Sequence, residues 1–298
     1  MDEQLIEVQL QDGSSTKVSV FEKSRNDGPV IILFSAMGTA ASYYHPFAKA
    51  LAEKGFTAIA ADLRGLGHSS VRPGRKCDFG FNEMLELDYK GILEKAHLLF
   101  PGKKKFILGH SLGGILGSLY LSKYPGDADG IILTAACNIH YKGWSGFGKW
   151  RILLGTQFFN VASSILGYHA GNKLGFGGKG ARGVIKDWSY TARTGKYSVK
   201  SSEHDFEKNL REINPKVLAI SFSRDEFSPR KAVENLLAKF NPSSDITRKH
   251  LTDIGSTNKP YSHYNWVKNN EEVIELIAGW TVTALRDGVS PLRGNTKG

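Results

Sequence analysis

The residues best suited to covalent chemistry lie in Gly109-His110-Ser111-Leu112-Gly113-Gly114. The apolar run Lys105 to Leu108 precedes them, and a helix-forming stretch to Tyr124 follows. Gly-x-Ser-x-Gly between a strand and a helix is the pattern of a nucleophile elbow. The chain reverses so sharply there that the serine is strained, and only small residues fit two positions before and after it. The turn presents the Ser111 hydroxyl at the helix N-terminus, above the sheet edge. Without those flanks the pattern would be a plain glycine turn. Here both flanks are present, and Gly114 further allows close helix packing.

A serine hydroxyl is inert at its own pKa, so it needs a base, and the base needs an orienting acid. Downstream of an elbow these follow in the order acid, then histidine. The acid belongs in the turn after the strand Lys216 to Phe222, in Ser223-Arg224-Asp225-Glu226-Phe227-Ser228-Pro229. Asp225 is favoured by its position in the turn, and Glu226 is the competing carboxylate. Either one would otherwise serve as a cap for the helix that starts near Pro229. The base belongs after the last strand, Ile246 to Thr252. His263, in Pro260-Tyr261-Ser262-His263-Tyr264, occupies that slot, whereas the rival His250 falls inside the strand and would point at a sheet face. His110 adjoins the nucleophile and is read as packing. Two backbone N–H groups must also meet an oxyanion. Leu112, at the start of the helix, supplies one. The loop Ser35-Ala36-Met37-Gly38 supplies the other, with Met37 the choice.

The elements that must position these groups alternate. An opening hairpin, Ile6 to Gln11 and Thr16 to Glu22, flanks Asp12-Gly13. Buried strands are expected at Val30 to Phe34, Phe56 to Ala61, Lys105 to Leu108 and Gly130 to Ala135. Helices are expected at Ala41 to Lys54, Glu83 to Phe100 and the stretch ending at Tyr124. After residue 137 the rhythm stops. It resumes near residue 201 with helices at Asp205 to Ile213, Pro229 to Phe240 and Asn270 to Leu285 and the two strands named above. The expectation is an α/β fold: a mostly parallel eight-stranded sheet with helices on both faces, formed by residues 1–137 and 201–289. Residues 138–200 form an inserted cap of several short helical pieces, and 290–298 are a disordered tail.

The insert holds Trp144, Phe147, Trp150, Phe158, Phe159, Phe176 and Trp188, and most of these are expected to form its own core. It also carries ten Lys or Arg against one acid, Asp187. That imbalance suits an anionic acyl substrate, a lipid surface or simply a solvated basic face.

Composition narrows the classes. The net charge of +10 is spread over scattered lysines with no nucleic-acid motif, so no nucleic-acid partner is expected. Cys77 and Cys137 are far apart and form no metal-ligand spacing or disulfide framework, so neither metal nor cofactor is called for. The opening residues carry Asp2, Glu3 and Glu7 and no apolar core, unlike a secretory leader. Ile152 to Tyr168 is interrupted by Gln157, Asn160, Ser163 and Ser164 and is too short and polar to cross a membrane. A cytoplasmic location is expected.

With these residues in place, the chain resembles the α/β-hydrolase superfamily, specifically its serine-aminopeptidase-like and lysophospholipase-like members. The elbow matches, and Asp62-Leu63-Arg64-Gly65-Leu66-Gly67-His68-Ser69 resembles the D-x-R-G-x-G-x-S segment that follows a strand in that family. Leu174 to Gly178, followed by Arg182 to Trp188, resembles a group of bacterial hydrolases. The resemblance spans roughly Val30 to Trp280 and implies the fold, a Ser111–Asp225–His263 triad and a cap. One departure is Ser35-Ala36, where the family usually has His-Gly, which puts the Met37 loop in question. The expected activity is hydrolysis of a lipid-like or medium-chain carboxylic ester through an acyl-enzyme. The alternatives are acyl transfer, thioester or peptide cleavage by the same triad, or a non-catalytic ligand-binding module. Oligomeric state does not follow from the sequence.

Overall fold

Five consecutive apolar residues, Val30–Phe34, make a strand that can be satisfied only if both of its faces are covered. In the computed structural model, which describes residues 3–24, 26–199, 201–252 and 260–286, that is how it sits. Val30, Ile32 and Phe34 point into one apolar layer, and Ile31 and Leu33 into another. The same alternation divides Val217 and Ala219 from Leu218 and Ile220.

The strands are β1 (Gln4–Gln9), β2 (Ser15–Phe21), β3 (Val30–Phe34), β4 (Thr57–Ala61), β5 (Lys105–His110), β6 (Gly130–Thr134), the short β7 (His169–Ala170) and β8 (Lys179–Gly180), β9 (Val217–Phe222) and β10 (Ile246–Leu251). Eight of them form one sheet in the order β1-β2-β4-β3-β5-β6-β9-β10. β1 and β2 join antiparallel, and β4, β3, β5, β6, β9 and β10 run parallel. The helices are α1 (His45–Glu53), α2 (Phe81–Glu83), α3 (Lys90–Leu99), α4 (Leu112–Lys123), α5 (Gly148–Leu166), α6 (Gly171–Leu174), α7 (Arg182–Thr194), α8 (Phe206–Leu210), α9 (Arg230–Leu237) and α10 (Glu271–Arg286). α1 and α10 cover one face of the sheet, through Phe47, Leu51, Ile277 and Trp280. α3, α4, α8 and α9 cover the other, through Ile92, Leu116, Leu210 and Leu236. The parallel strands open their C-terminal ends at one edge, where a ligand site is expected in such a sheet.

Two local readings change. The single helix expected over Glu83 to Phe100 contains a π-helical segment, Met84–Tyr89, between α2 and α3. The wider turn puts Met84, Leu85, Asp88 and Tyr89 all on the buried side. There Asp88 accepts from the Arg64 backbone and side chain, each at 3.0 Å, and Tyr89 donates to the Gly113 carbonyl at 2.7 Å. The short pieces expected after residue 137 are instead dominated by α5, of 19 residues, and α7, of 13. The polar residues that interrupt α5's sequence do not break it, because they find partners within the helix or on α7. Ser164 Oγ donates to the Asn160 carbonyl, and Gln157 donates to the Ser189 carbonyl on α7. Residues 290–298 lie outside the described residues.

Candidate active site

Ser111 has φ 53° and ψ −116°, a conformation a non-glycine residue adopts only under constraint. The glycines around it explain the constraint. A Cβ on Gly109 would lie 2.3 Å from Gly114 Cα, and one on Gly113 would lie 2.4 Å from the Phe34 carbonyl oxygen. Strand β5, helix α4 and the end of β3 therefore meet with no room for a side chain, and the hydroxyl is pushed out at the N-terminus of α4.

The next two groups arrive from the same sheet edge. β9 ends at Phe222, and Asp225 lies in the turn beyond it, its side chain fully buried. Asp225 Oδ1 accepts the backbone N–H of Phe227 at 2.9 Å and of Ser228 at 2.8 Å, which fixes the carboxylate. His263, beyond β10, places Nδ1 2.8 Å from Asp225 Oδ2 and Nε2 3.0 Å from Ser111 Oγ. Ser111, Asp225 and His263 are thus brought together. The rivals are not. Glu226 points outward, its side chain 79% exposed, and meets Arg151 at 3.4 Å. His250 pairs in register with Ser221 inside β10, its Nδ1 2.8 Å from Ser221 Oγ.

Met37 and Leu112 line the same cavity as Ser111. The Ser35-Ala36 departure is accommodated in the loop. The Ala36 N–H donates to the Tyr44 hydroxyl at 3.0 Å, and Gly38, at φ 70°, packs so closely that a Cβ would lie 2.3 Å from the Gly177 carbonyl oxygen. Asp62 braces this loop and the one after β4. Its Oδ1 accepts from Ala41 N–H at 2.8 Å and its Oδ2 from His68 N–H at 3.0 Å.

The cavity in front of Ser111 has a volume of about 340 Å³, within the range of ordinary ligand pockets. Phe159, Phe176 and Trp188 stack along one wall, with ring centroids 5.5 and 5.4 Å apart. Cys137 also faces it, but burial pushes that thiol up to about 12, so it stays protonated and is no rival nucleophile. Among the described residues no group of His, Cys, Asp and Glu could hold a metal ion.

Three neighbours of His263 are not among the site residues expected from sequence, where His110 is read as packing. Phe227 and Tyr264 pack on its ring at 5.3 and 4.9 Å, and their only signal was adjacency to Asp225 and His263. His110 is more than packing under the elbow. It is fully buried, its Nδ1 lies 2.6 Å from the Tyr44 hydroxyl, and its ring lies 4.8 Å from that of His263. Burial first, and the charge of His263 second, hold its imidazolium well below the ordinary histidine range. The aromatic content of the insert also needs correcting. Trp144 is buried, and Phe159, Phe176 and Trp188 wall the cavity, but Phe147, Trp150 and Phe158 stand exposed. Sequence shows that a helix face is apolar, not whether anything covers it.

The chain is 32% identical to Lysophospholipase L2 of Escherichia coli (strain K12) over 120 residues, 39% of this chain and 34% of that protein. It is 30% identical to a monoacylglycerol lipase of Mycolicibacterium smegmatis over 112 residues, 37% of this chain and 39% of that one. The match thus spans little more than a third of the length of these curated relatives. A solved thermophilic esterase from Thermogutta terrifontis superposes with a TM-score of 0.62 at 16% identity, over 94% of this chain and 99% of that one, which shows a shared fold. The sequence model of the serine aminopeptidase S33 family matches residues 26–252, most of the chain. With an elbow, a parallel sheet and this match together, the chain belongs to the serine aminopeptidase S33 family of the α/β-hydrolase superfamily.

Proposed function

We propose that the protein is a serine hydrolase that cleaves a carboxylic ester with an apolar acyl group, Ser111, His263 and Asp225 acting as its triad. The observation that carries this reading is the pair of contacts made by His263, Nε2 to Ser111 Oγ at 3.0 Å and Nδ1 to Asp225 at 2.8 Å, at the wall of an aromatic-lined cavity. Ser111 Oγ attacks the ester carbonyl while His263 Nε2 takes its proton, and Asp225 holds the tautomer and steadies the imidazolium. The backbone N–H groups of Met37 and Leu112 receive the oxyanion, the latter aided by the positive end of α4. His263 returns the proton to the departing alkoxide. Water then repeats the sequence on the acyl-enzyme and frees the acid and Ser111. No step needs a metal or organic cofactor.

Residues 138–200 act in this reading as a cap over a core formed by 1–137 and 201–289. The names of the relatives, a lysophospholipase and a monoacylglycerol lipase, support a lipid-like acyl ester. A peptide substrate fits less well. Among the described residues that line the cavity the one acid is Glu226, whose side chain is exposed and already faces Arg151, and the buried Asp225 beside it is engaged by His263, so none of these offers a buried carboxylate for an α-ammonium group. The two free thiols, Cys77 and Cys137, favour a reducing compartment, and we place the protein in the cytoplasm.

A series of p-nitrophenyl esters of increasing acyl length tests the reading. kcat/KM should rise from the acetyl ester to a medium chain. Thr156→Phe, on the cavity wall, should move the optimum to a shorter chain. Absence of turnover across the series would overturn the assignment.

A further inference from the structure

Helix α5 has two apolar faces. Ile152, Thr156 and Phe159 turn inward to the Ser111 cavity. On the opposite side Phe147, which precedes the helix, continues into Trp150, Leu154, Phe158, Val161 and Ile165. At about 100° per residue, all six fall within about 40° of Leu154. Each is between 47% and 80% exposed. Single exposed apolar residues are ordinary, but six in one stripe are not.

The charge of the segment that carries the stripe is one-sided, although Arg151 and Arg182 meet Glu226 and Asp78 from outside it. Residues 138–200 carry ten Lys or Arg, and their single acid, Asp187, is buried with its carboxylate on the Phe81 N–H at 2.9 Å. The segment therefore shows solvent no carboxylate of its own. Lys149 lies 5.3 Å over the Trp150 ring, at the start of the stripe. Lys142, Lys149, Lys173 and Lys179 form no salt bridge among the described residues.

We infer that the outer face of α5 docks onto an anionic phospholipid bilayer. The combination of Trp, Phe and Leu along one face with flanking cations is that of a helix lying in a membrane interface. None of the described helices is long and apolar enough to cross a membrane, so the contact is a surface one. A second copy of the chain is the disfavoured occupant, because pairing these faces would bring together two segments that each carry ten cations and one buried acid, whereas an anionic surface complements them. Because the inner face of α5 lines the cavity, docking would bring the cavity to the lipid. That advantage rests on the proposed ester hydrolysis; the docking itself does not.

The test uses the full chain carrying Ser111→Ala, so that vesicles are not consumed, in flotation with phosphatidylcholine vesicles with and without phosphatidylglycerol. The expected result is binding to the anionic vesicles. Leu154→Glu with Phe158→Glu should lower the partition coefficient by about tenfold or more. Lys142→Glu with Lys149→Glu should weaken binding to the anionic vesicles selectively. Neither Leu154 nor Phe158 lines the cavity, so with Ser111 intact that pair should still turn over water-soluble p-nitrophenyl acetate. Should the pair misfold, Leu154→Ser with Ile165→Ser reads the same face. Protein that stays out of the lipid fraction, or outer-face variants that bind as well as the parent, would overturn the inference. So would a dimer in sedimentation velocity that the outer-face variants dissociate and that ignores vesicles, since the face would then belong to a second copy. Vesicle binding without ester turnover by the Ser111 protein would instead refute the hydrolase reading and leave docking intact.

Discussion

Replacing Asp225 by asparagine should disable the protein by turning His263 into the wrong tautomer. Asp225 Oδ1 already accepts two backbone N–H groups, from Phe227 at 2.9 Å and Ser228 at 2.8 Å, and lies 3.0 Å from His263 Nδ1, while Oδ2 makes the shorter contact with that nitrogen at 2.8 Å. Asparagine has one oxygen. Keeping both backbone bonds commits that oxygen to Phe227 and Ser228 and turns the NH2 toward His263. With the NH2 at the shorter of the two contacts, an accepting Nδ1 is favoured, the ring proton shifts to Nε2, and Nε2–H faces the Ser111 hydroxyl it should deprotonate. Turning the amide over instead would place its NH2 against two N–H donors, the one on Ser228 buried, which costs more. The expected loss is about 10² to 10⁴ in kcat, or about 3–5 kcal/mol of transition-state stabilisation. Glu226→Gln removes only an exposed contact with Arg151, and kcat should change by less than about threefold. Steady-state kinetics on a p-nitrophenyl ester, with thermal unfolding to confirm folding, reads both variants. An Asp225→Asn protein within tenfold of the parent, or an equal loss in Glu226→Gln, would refute the reasoning.

Two further predictions concern the scaffold. Arg64 and Asp88 form a buried ion pair at 3.0 Å, so Arg64→Met should cost about 3–5 kcal/mol by stranding a buried carboxylate, and adding Asp88→Leu should restore much of it, as measured by urea unfolding. Additive losses in the double variant would contradict this. His110, held neutral by burial, binds no proton in the fold where the unfolded chain does, so its stabilisation is present above about pH 6.5 and is lost as the pH falls. Its contribution to the unfolding free energy should fall by up to about 1.4 kcal/mol per pH unit below that point, and His110→Gln should flatten the slope. Parallel slopes for parent and variant would contradict the assignment.

The order of the elements and the convergence of Ser111, Asp225 and His263 were legible in the chain because each rests on a local necessity. The elbow demands glycines where a Cβ would strike Gly114 or Phe34, a strand both of whose faces are covered must read Val-Ile-Ile-Leu-Phe, and parallel strands must open at one edge. His250 could be set aside for the same reason, since a strand directs alternate side chains to the sheet faces. What stayed hidden depends on partners distant in sequence. Asp88 and Tyr89 shape a π-helical turn only because Arg64 and Gly113 lie opposite them. Gln157 is tolerated inside α5 because it finds a carbonyl on α7. Phe147, Trp150 and Phe158 look like core by composition, yet among the described residues no element packs outside α5 to bury them.

The central claim is that Ser111 is the nucleophile. Labelling with a fluorophosphonate and locating the adduct by peptide mass spectrometry tests it directly. The adduct should sit on Ser111, should vanish in folded Ser111→Ala together with ester turnover, and should form far more slowly in His263→Ala, where the base 3.0 Å from Oγ is gone. An adduct on another residue, or substantial esterase activity in folded Ser111→Ala, would contradict it.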